Sequence, residues 1–354
     1  MAQNPQPSQS DSQPGKNTVL VIGAGPVGLF LSILLARANI PVIVLEAKDV
    51  LDDTPKSLAH SPVLYPDFVR AGIFEEFEEA AKDLQQITVN FRRTSDLELI
   101  TTIHSVLGRP APLIYPQNKF NRLLYRHISK YDCAQVHMGH QVLDIDNTAS
   151  DRVTATVLTS SGVTKTFTAS YLIGADGGRG RVRGACGIPF EGDTLRRHLI
   201  ASDVRYPFEK YGWARNPNFM IDPDIAGMIG PIDAHGLWRV VFTLPGDEAS
   251  ITPERIKAAI PGAFEAMFPG PRPLKYTIER LAPYKAQQLC AKTFRQGRVL
   301  LIGDAAHCTY CPVPQLVPSL PVPYTEIIPN SNQPLRRPRP RLRHPRRRIS
   351  RLSL

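Results

Sequence analysis

Length, composition and charge indicate a large folded protein. The chain has 354 residues, 42% of them hydrophobic, and a formal net charge of +10, which suffices for one large domain or two ordinary ones. Nine arginines and one acid fall within 308–354, so residues 1–307 are nearly neutral. Arginine alternates there with proline, without aromatic neighbours or a helical period. This pattern favours a solvated disordered segment over a nucleic-acid or membrane patch.

Several other classes of protein are disfavoured. The five cysteines are scattered and odd in number, which favours a reducing compartment, and hence the cytoplasm, over a disulfide framework. His307, Cys308 and Cys311 resemble a fragment of a metal site, but no second ligand pair completes it, so no metal is expected. Residues 1–17 are polar, lack a signal segment and are predicted to be disordered. A glycine-rich turn interrupts the most apolar run, so we expect no stable membrane association.

A nucleotide-binding pattern opens the folded part. A strand, a glycine-rich turn, a helix and a second strand are predicted in succession at 18–22, 23–28, 29–38 and 42–45. Gly23 permits the tight turn, Gly25 lets the backbone approach a pyrophosphate, and Gly28 lets helix and strand pack closely. The helix N-terminus offers N–H groups to the anion. Glu46, 18 residues past Gly28, would accept hydrogen bonds from ribose hydroxyls, so an adenine dinucleotide is favoured over a turn without a ligand.

Two later segments repeat the design of a buried strand that ends at an acid. A hairpin at 152–168 leads into the strand 171–176, which ends at Asp176 beside the basic turn GGRGRVR. The second segment is the strand 299–302, which is followed by Asp304. Ligands bind at the carboxyl ends of parallel strands in open α/β sheets, so we expect the strand ends to converge on one edge.

These motifs, in this order, make residues 18–307 resemble the class A flavoprotein monooxygenases, the p-hydroxybenzoate-hydroxylase-like family, and most of all its fungal aromatic-hydroxylating members. The resemblance implies an α/β fold, in which a sheet-rich substrate domain is inserted into an FAD-binding Rossmann-like domain of the GR2 type. It also implies FAD as the cofactor and NAD(P)H as the co-substrate. The implied reaction is hydroxylation of a small, phenol-like aromatic compound with O₂, in secondary metabolism or aromatic catabolism.

The resemblance also implies roles for individual residues. Glu46 would bind the AMP ribose, Gln117 would lie near the ribityl or phosphate groups, and Asp304 would bond to the ribityl chain. Asp176 would serve both FAD and NAD(P)H binding. Lys56 stands near the position where the family usually has arginine, so it is either a flavin or pyridine-nucleotide contact or an ordinary surface lysine.

The motifs also set the predicted domain bounds. The FAD-binding domain covers 18–190 and 281–307, the substrate domain 191–280, and a Pro/Arg-rich disordered tail 308–354. Four side chains of the substrate domain either line an aromatic pocket or serve plain packing, namely Tyr211, Trp213, His235 and Trp238. No catalytic residue can be named, and His60 and His104 have the character of surface histidines.

The family pattern stops after His307, where a P-x-G-x-G-x-N turn and a helix are expected. Ten of the 33 prolines fall in residues 308–354 instead, which disfavours a helix. We therefore expect a chain truncated by a frame shift or an unspliced intron, which holds FAD weakly or not at all, with an authentic Pro-rich tail as the alternative. Three interpretations stay open, namely an active monooxygenase, an inactive relative, and a reductase or epoxidase of the same fold. The sequence leaves the oligomeric state undetermined.

Overall fold

A computed structural model describes residues 17–84, 88–105, 110–222, 225–245 and 251–309. These residues lie within the unit Met1–Pro314, and the chain's other unit, Gln315–Leu354, lies outside the described residues. The sequence predicts disorder for 1–16 and for 310–354, and these residues lie outside those described.

A six-stranded sheet carries the glycine-rich turn. Its strands in spatial order are β17 (Arg295–Gln296), β18 (Val299–Leu301), β11 (Tyr171–Gly174), β1 (Val19–Ile22), β2 (Val42–Leu45) and β7 (Ala134–His137). All neighbours pair in parallel except β17 and β18. Continuous apolar runs such as VLVI and VIVL are typical of strands covered on both faces. The predicted convergence is confirmed, because β18, β11, β1 and β2 are adjacent and their carboxyl ends lie on one edge.

Helices cover one face of this sheet. They are α1 (Pro26–Arg37), α2 (Tyr65–Ala71), α3 (Phe74–Ala81) and α4 (Gln117–Ile128). Leu29 and Ile33 of α1 are fully buried together with Leu123 and Leu124 of α4. The short strands β3 (Ala59–His60) and β6 (Leu113–Ile114) pair beside these helices.

The other face of the sheet packs against a smaller, three-stranded sheet. Its strands are β8 (His140–Asp146), β9 (Val153–Thr159) and β10 (Thr164–Ala169). The predicted hairpin around Ser161 and Gly162 is confirmed as β9 and β10. Val153, Ala155 and Val157 alternate inward along β9 and are fully buried. The helix α5 (Arg181–Ala185) follows β11 and completes this layer.

An eight-stranded sheet forms the remaining part. Its strands in spatial order are β19 (His307–Thr309), β16 (Thr277–Ala291), β12 (Phe190–Arg205), β15 (Leu237–Pro245), β14 (Gly227–Pro231), β13 (Asn218–Ile221), β4 (Thr88–Arg93) and β5 (Leu99–His104). One face packs against α6 (Pro253–Met267), with Trp238, Val240 and Phe242 fully buried against Phe264. The alternate residues of these strands point to the opposite face.

This sheet extends beyond the predicted substrate segment 191–280. The strands β4 and β5 come from the part assigned to FAD binding, and β16 continues to Ala291. Cys308 and Thr309, which the predicted bounds assign to the tail, pair in β19 with β16. Strands that pair across more than 100 residues leave no local signal in the sequence. The predicted domain bounds were therefore set by the order of the motifs, and they do not reflect this pairing.

Candidate cofactor and substrate site

One cavity of about 1330 Å³ lies between the motif-bearing edge of the six-stranded sheet and one face of the eight-stranded sheet. Ligand pockets usually measure 300–1,000 Å³, so this cavity has room for a large cofactor and a small substrate. Most of the predicted cofactor-binding residues line it: Gly23, Gly25, Glu46, Lys56, Gln117, Asp176 and Asp304. The structure therefore brings together residues that are up to 281 positions apart in the sequence.

The three glycines of the turn have different surroundings. Gly23 has φ +108°, and a Cβ there would lie 2.5 Å from the Ala175 carbonyl oxygen. A Cβ on Gly28 would lie 2.1 Å from the Gly23 carbonyl oxygen, so Gly28 allows α1 to approach the turn and does not line the cavity. A Cβ on Gly25 would meet no atom within 4 Å. The space beside Gly25, at the N-terminus of α1, fits the pyrophosphate of a dinucleotide.

Glu46 is held at the end of β2 by two backbone donors. Its Oε2 accepts from the Ala24 N–H at 2.8 Å, and its Oε1 accepts from the Lys48 N–H at 3.0 Å. Each carboxylate oxygen can accept more than one hydrogen bond. The carboxylate is therefore fixed in place and still able to accept ribose hydroxyls.

Lys56 lies at the cavity rim in an ion-pair cluster. Its Nζ lies 3.0 Å from Asp52 Oδ2, and the Nζ of Lys48 lies 2.8 Å from the same oxygen. Burial opposes ionisation of Asp52, but hydrogen bonds from Lys48, Thr54 and Lys56 outweigh it and hold the pKa of Asp52 well below its usual range. Lys56 is thus an exposed, paired cation at the rim, and its contact with a cofactor stays a prediction.

Gln117 and Asp304 reach the cavity from two different helical turns. Gln117 is the first residue of α4; its N–H donates to the Ser57 carbonyl at 2.9 Å, and its Oε1 accepts from the Ser57 N–H at 3.2 Å. This pair of hydrogen bonds fixes the segment between β2 and β3 against α4. Asp304 lies in the turn Gly303–Ala305 after β18, where its side chain is exposed to the cavity.

Asp176 is half-buried and lies two residues beyond the end of β11. Its Oδ2 accepts from the Val182 N–H of α5 at 3.0 Å, whereas its Oδ1 is buried without a partner among the described residues. Burial raises the pKa of this carboxyl. Arg183 does not face the cavity, because it donates to the carbonyls of Gly178 at 2.8 Å and Ala305 at 2.9 Å. It joins the two acid-bearing turns, so of the three arginines in this segment only Arg179 and Arg181 line the cavity.

The opposite wall of the cavity is a patterned face of the eight-stranded sheet. Five side chains that neighbour one another across the strands form what we call the apolar row: Phe219, Met228, Val241, Ala201 and Ala282. Two residues further along β15, β12 and β16 lies the charged row: Arg239, Asp203 and Arg280. A period of two places both rows on the same face of the sheet.

The charged row connects this wall to the segment before β3. Arg239 is 5% exposed and Asp203 3%, and the Arg239 guanidinium binds the Asp203 carboxylate through Nε and, at 3.3 Å, through Nη2. Arg239 also donates to the backbone carbonyls of Pro55 and, at 2.8 Å, Lys56. The residues predicted from sequence did not include Arg239. A charged residue within the largely apolar run LWRVVFTL could have indicated it, because a buried charge needs a partner.

Some side chains proposed from sequence lie elsewhere. Trp213 and Trp238 are buried against α6, and neither they nor Tyr211 and His235 line the cavity. The strand around Trp238 is covered on both faces, so its sequence does not show which face meets the cavity. His60 is also not a surface histidine, because it is 9% exposed and its Nε2 lies 2.9 Å from the Tyr115 carbonyl oxygen.

The described residues contain neither a cluster of metal ligands nor a membrane-spanning helix. In these segments no three His, Cys, Asp or Glu side chains lie close enough together to hold a metal ion. Over the same residues, no helix is both long and apolar enough to cross a membrane.

Comparison with known proteins gives a consistent result. The family model described as "FAD binding domain" matches residues 16–313. Para-nitrophenol 4-monooxygenase of Pseudomonas sp. (strain WBC-3) is 34% identical over 82% of this chain and 72% of its own length. 6-hydroxy-3-succinoylpyridine 3-monooxygenase of Pseudomonas putida (strain DSM 28022 / S16) is 30% identical over 83% of this chain and 74% of its own length.

The solved structures agree with this result. The crystal structure of p-nitrophenol 4-monooxygenase from Pseudomonas putida DLL-E4 superposes with a TM-score of 0.76 at 31% identity, over 83% of this chain and 74% of that one. The likeness to fungal members in particular stays a prediction, as does the interpretation of the chain as truncated.

Proposed function

This chain belongs to the FAD-dependent aromatic monooxygenases, and from that premise we propose that it hydroxylates a small, phenol-like aromatic compound, with NAD(P)H and O₂ as co-substrates. The predicted FAD-binding α/β fold with a sheet-rich substrate part is confirmed. The identity of the substrate, the choice of reduced nucleotide and a cytoplasmic location belong to the proposal.

The observation that carries the proposal is the pairing of two unlike walls in one cavity. One wall has the glycine turn, Glu46 and the acids at the strand ends, which suit a dinucleotide. The other is a sheet face whose apolar row suits an aromatic ring. A cofactor held on the first wall would therefore meet its substrate on the second.

We assign the predicted residues to the cofactor as follows. Gly25 would accommodate the pyrophosphate, Gly23 would permit the tight turn beside it, and Glu46 would bind the ribose of the AMP half. Gln117 would lie near the ribityl or phosphate groups, and Asp304 would bond to the ribityl chain. Gly28 would act indirectly, by keeping α1 close to the turn. Asp176, which lines the cavity at the same edge, and the rim cation Lys56 would serve the nucleotides.

The domain division stays part of the proposal. We place FAD binding in 18–190 and 281–307 and the substrate domain in 191–280. The strands β4 and β5 complete the sheet of the substrate domain from the FAD-binding part of the sequence.

FAD, when bound, supplies the redox and oxygen-transfer chemistry. The chain's own residues position the reactants and exclude water. The apolar row offers no polar side chain to solvent, which favours a dry surface for the ring. Arg239 holds the segment at Pro55 and Lys56 against the substrate wall and so closes this side of the cavity.

Isotope labelling tests the proposal directly. The full chain, reconstituted with FAD, would be supplied with NADH or NADPH, with labelled O₂, and with 4-nitrophenol or 3-(3-hydroxyphenyl)propionate as the phenol. We expect one labelled oxygen atom in the organic product and consumption of the reduced nucleotide. Nucleotide consumption with hydrogen peroxide as the sole oxygen product, or no FAD retention, would contradict monooxygenation.

A further inference from the structure

The two arginines of the charged row differ in their access to the cavity. Both line it, but the Arg239 side chain is 6% exposed and that of Arg280 is 27% exposed. Arg239 uses its donors on Asp203, Pro55 and Lys56. Arg280 Nη1 lies 3.7 Å from Asp203 Oδ2, which is beyond hydrogen-bond range. Arg280 is therefore the arginine that can donate into the cavity.

The charge on this wall is unbalanced. Two guanidinium groups share the single carboxylate of Asp203, and no acid from the eight-stranded sheet lines the cavity among the described residues. The sheet wall thus has a net positive charge next to the apolar row. A partly desolvated cation of this kind favours an anionic ligand, with charge-assisted hydrogen bonds from the planar guanidinium.

The register sets the distance between the two features. Arg280 and Ala282 are two residues apart on β16 and point to the same face, as do Arg239 and Val241 on β15. Side chains two apart on a strand are separated by about 7 Å. A ring carbon, its para substituent and one hydrogen bond together span about this distance, so a ring on the apolar row would bring its substituent within reach of Arg280.

We propose that Arg280 determines substrate specificity by selecting aromatic compounds with an anionic substituent, a phenolate or a carboxylate. This inference rests on the proposed function, because it takes an aromatic compound as the occupant of the apolar row. Neither the fold nor the cofactor motifs assign a role to Arg280 or predict a preference for charged substrates.

The test measures binding and does not depend on turnover. Equilibrium dialysis with the FAD-reconstituted full chain would compare 4-nitrophenolate with the neutral 4-nitroaniline, at a pH where the phenol is ionised. A second pair, 3-(3-hydroxyphenyl)propionate and its amide, separates carboxylate from phenolate recognition. The variants are Arg280→Gln and Arg280→Lys. Arg205→Gln is the matched control, since Arg205 lies on the same sheet outside the cavity and is paired with Glu279.

The expected result is a charge-specific loss. The unaltered chain should bind at least one anion about tenfold or more tightly than its neutral partner, and Arg280→Gln should remove that preference without weakening the neutral probe. Arg280→Lys should keep part of the preference, and Arg205→Gln all of it. The pair that shows the preference identifies the anionic group.

Other outcomes overturn the inference. If the unaltered chain prefers neither anion, or binds none of the four probes, Arg280 does not select anions. The same follows if Arg280→Gln weakens neutral and anionic probes equally. If Arg280→Gln fails to fold, the affinities of the anionic and neutral probes are compared on the unaltered chain and on Arg280→Lys. These affinities still decide whether Arg280 selects anions. Anion preference without labelled product would refute the proposed function alone, whereas labelled product without anion preference would refute this inference alone.

Discussion

Replacing Arg239 by methionine tests how strongly the charged row stabilises the fold. Methionine keeps most of the buried aliphatic stem and removes the guanidinium, so the Asp203 carboxylate would stay buried without its principal partner. Breaking a buried ion pair on one side costs about 3–5 kcal/mol. Arg280, 3.7 Å from Asp203, should offset part of this cost, so we expect a loss of about 3 kcal/mol.

A second variant separates the lost ion pair from lost packing. In the double variant Asp203→Leu/Arg239→Met no buried carboxylate remains, and apolar replacement of buried pairs is often nearly neutral. We therefore expect the double variant to recover most of the stability that Arg239→Met loses. Urea unfolding of the full chain, followed by circular dichroism, gives the free energy of unfolding of each form.

An exposed ion pair on the same sheet provides the control. Arg205 and Glu279 have side chains that are 46% and 39% exposed, so Arg205→Met should cost less than about 1 kcal/mol. Two results would refute the reasoning about the charged row. One is an Arg239→Met variant as stable as the control, and the other is a double variant no more stable than Arg239→Met.

Three further predictions follow from the site and the core. Gly25→Val should abolish FAD retention, because its side chain enters open cavity, and should leave the melting temperature of the FAD-free chain unchanged. Gly28→Val should lower that melting temperature, because its Cβ would meet a carbonyl oxygen at 2.1 Å. FAD content in Gly25→Val equal to that of a wild-type chain that retains FAD would contradict this. Asp176→Ala should slow NAD(P)H-driven flavin reduction in stopped-flow absorbance, and an unchanged rate would leave Asp176 a purely structural role. Burial lowers the pKa of His60 below its ordinary 6.5, so the unfolded chain takes up a proton that the folded chain resists. The free energy of unfolding should therefore fall as pH decreases below about 6.5, by at most about 1.4 kcal/mol per pH unit, and His60→Gln should show a shallower fall in urea titrations at pH 7 and pH 5.

The sequence predicted which motifs meet at the edge of the six-stranded sheet, because the signals of these motifs are local. The glycine turn, the helix after it and the acid at the end of β2 lie within 24 residues, 23–46. Gly23 and Gly28 must be glycine for steric reasons that the structure shows directly. Each acid-terminated strand carries its own signal, and the right-handed parallel arrangement of such strands brings their ends to one edge.

The substrate wall could not be predicted in the same way. The charged row joins positions 203, 239 and 280, which become neighbours only through the register of β15, β12 and β16. A shift of one residue in that register would turn each of these side chains to the face covered by α6. The same ambiguity explains why Trp238 was a candidate for the pocket and lies in the core instead.

The hydrogen bonds from Arg239 to Pro55 and Lys56 end on backbone carbonyls. Every amino acid supplies that acceptor, so substitution at either position leaves the acceptors for Arg239 in place. Homologous chains can therefore vary the charge and size of the residue at the cavity rim, Lys56 in this chain, without giving up the connection between the two walls. Evolution can then adjust the rim to different nucleotides or substrates while the two walls stay connected, and the constraint falls on Arg239.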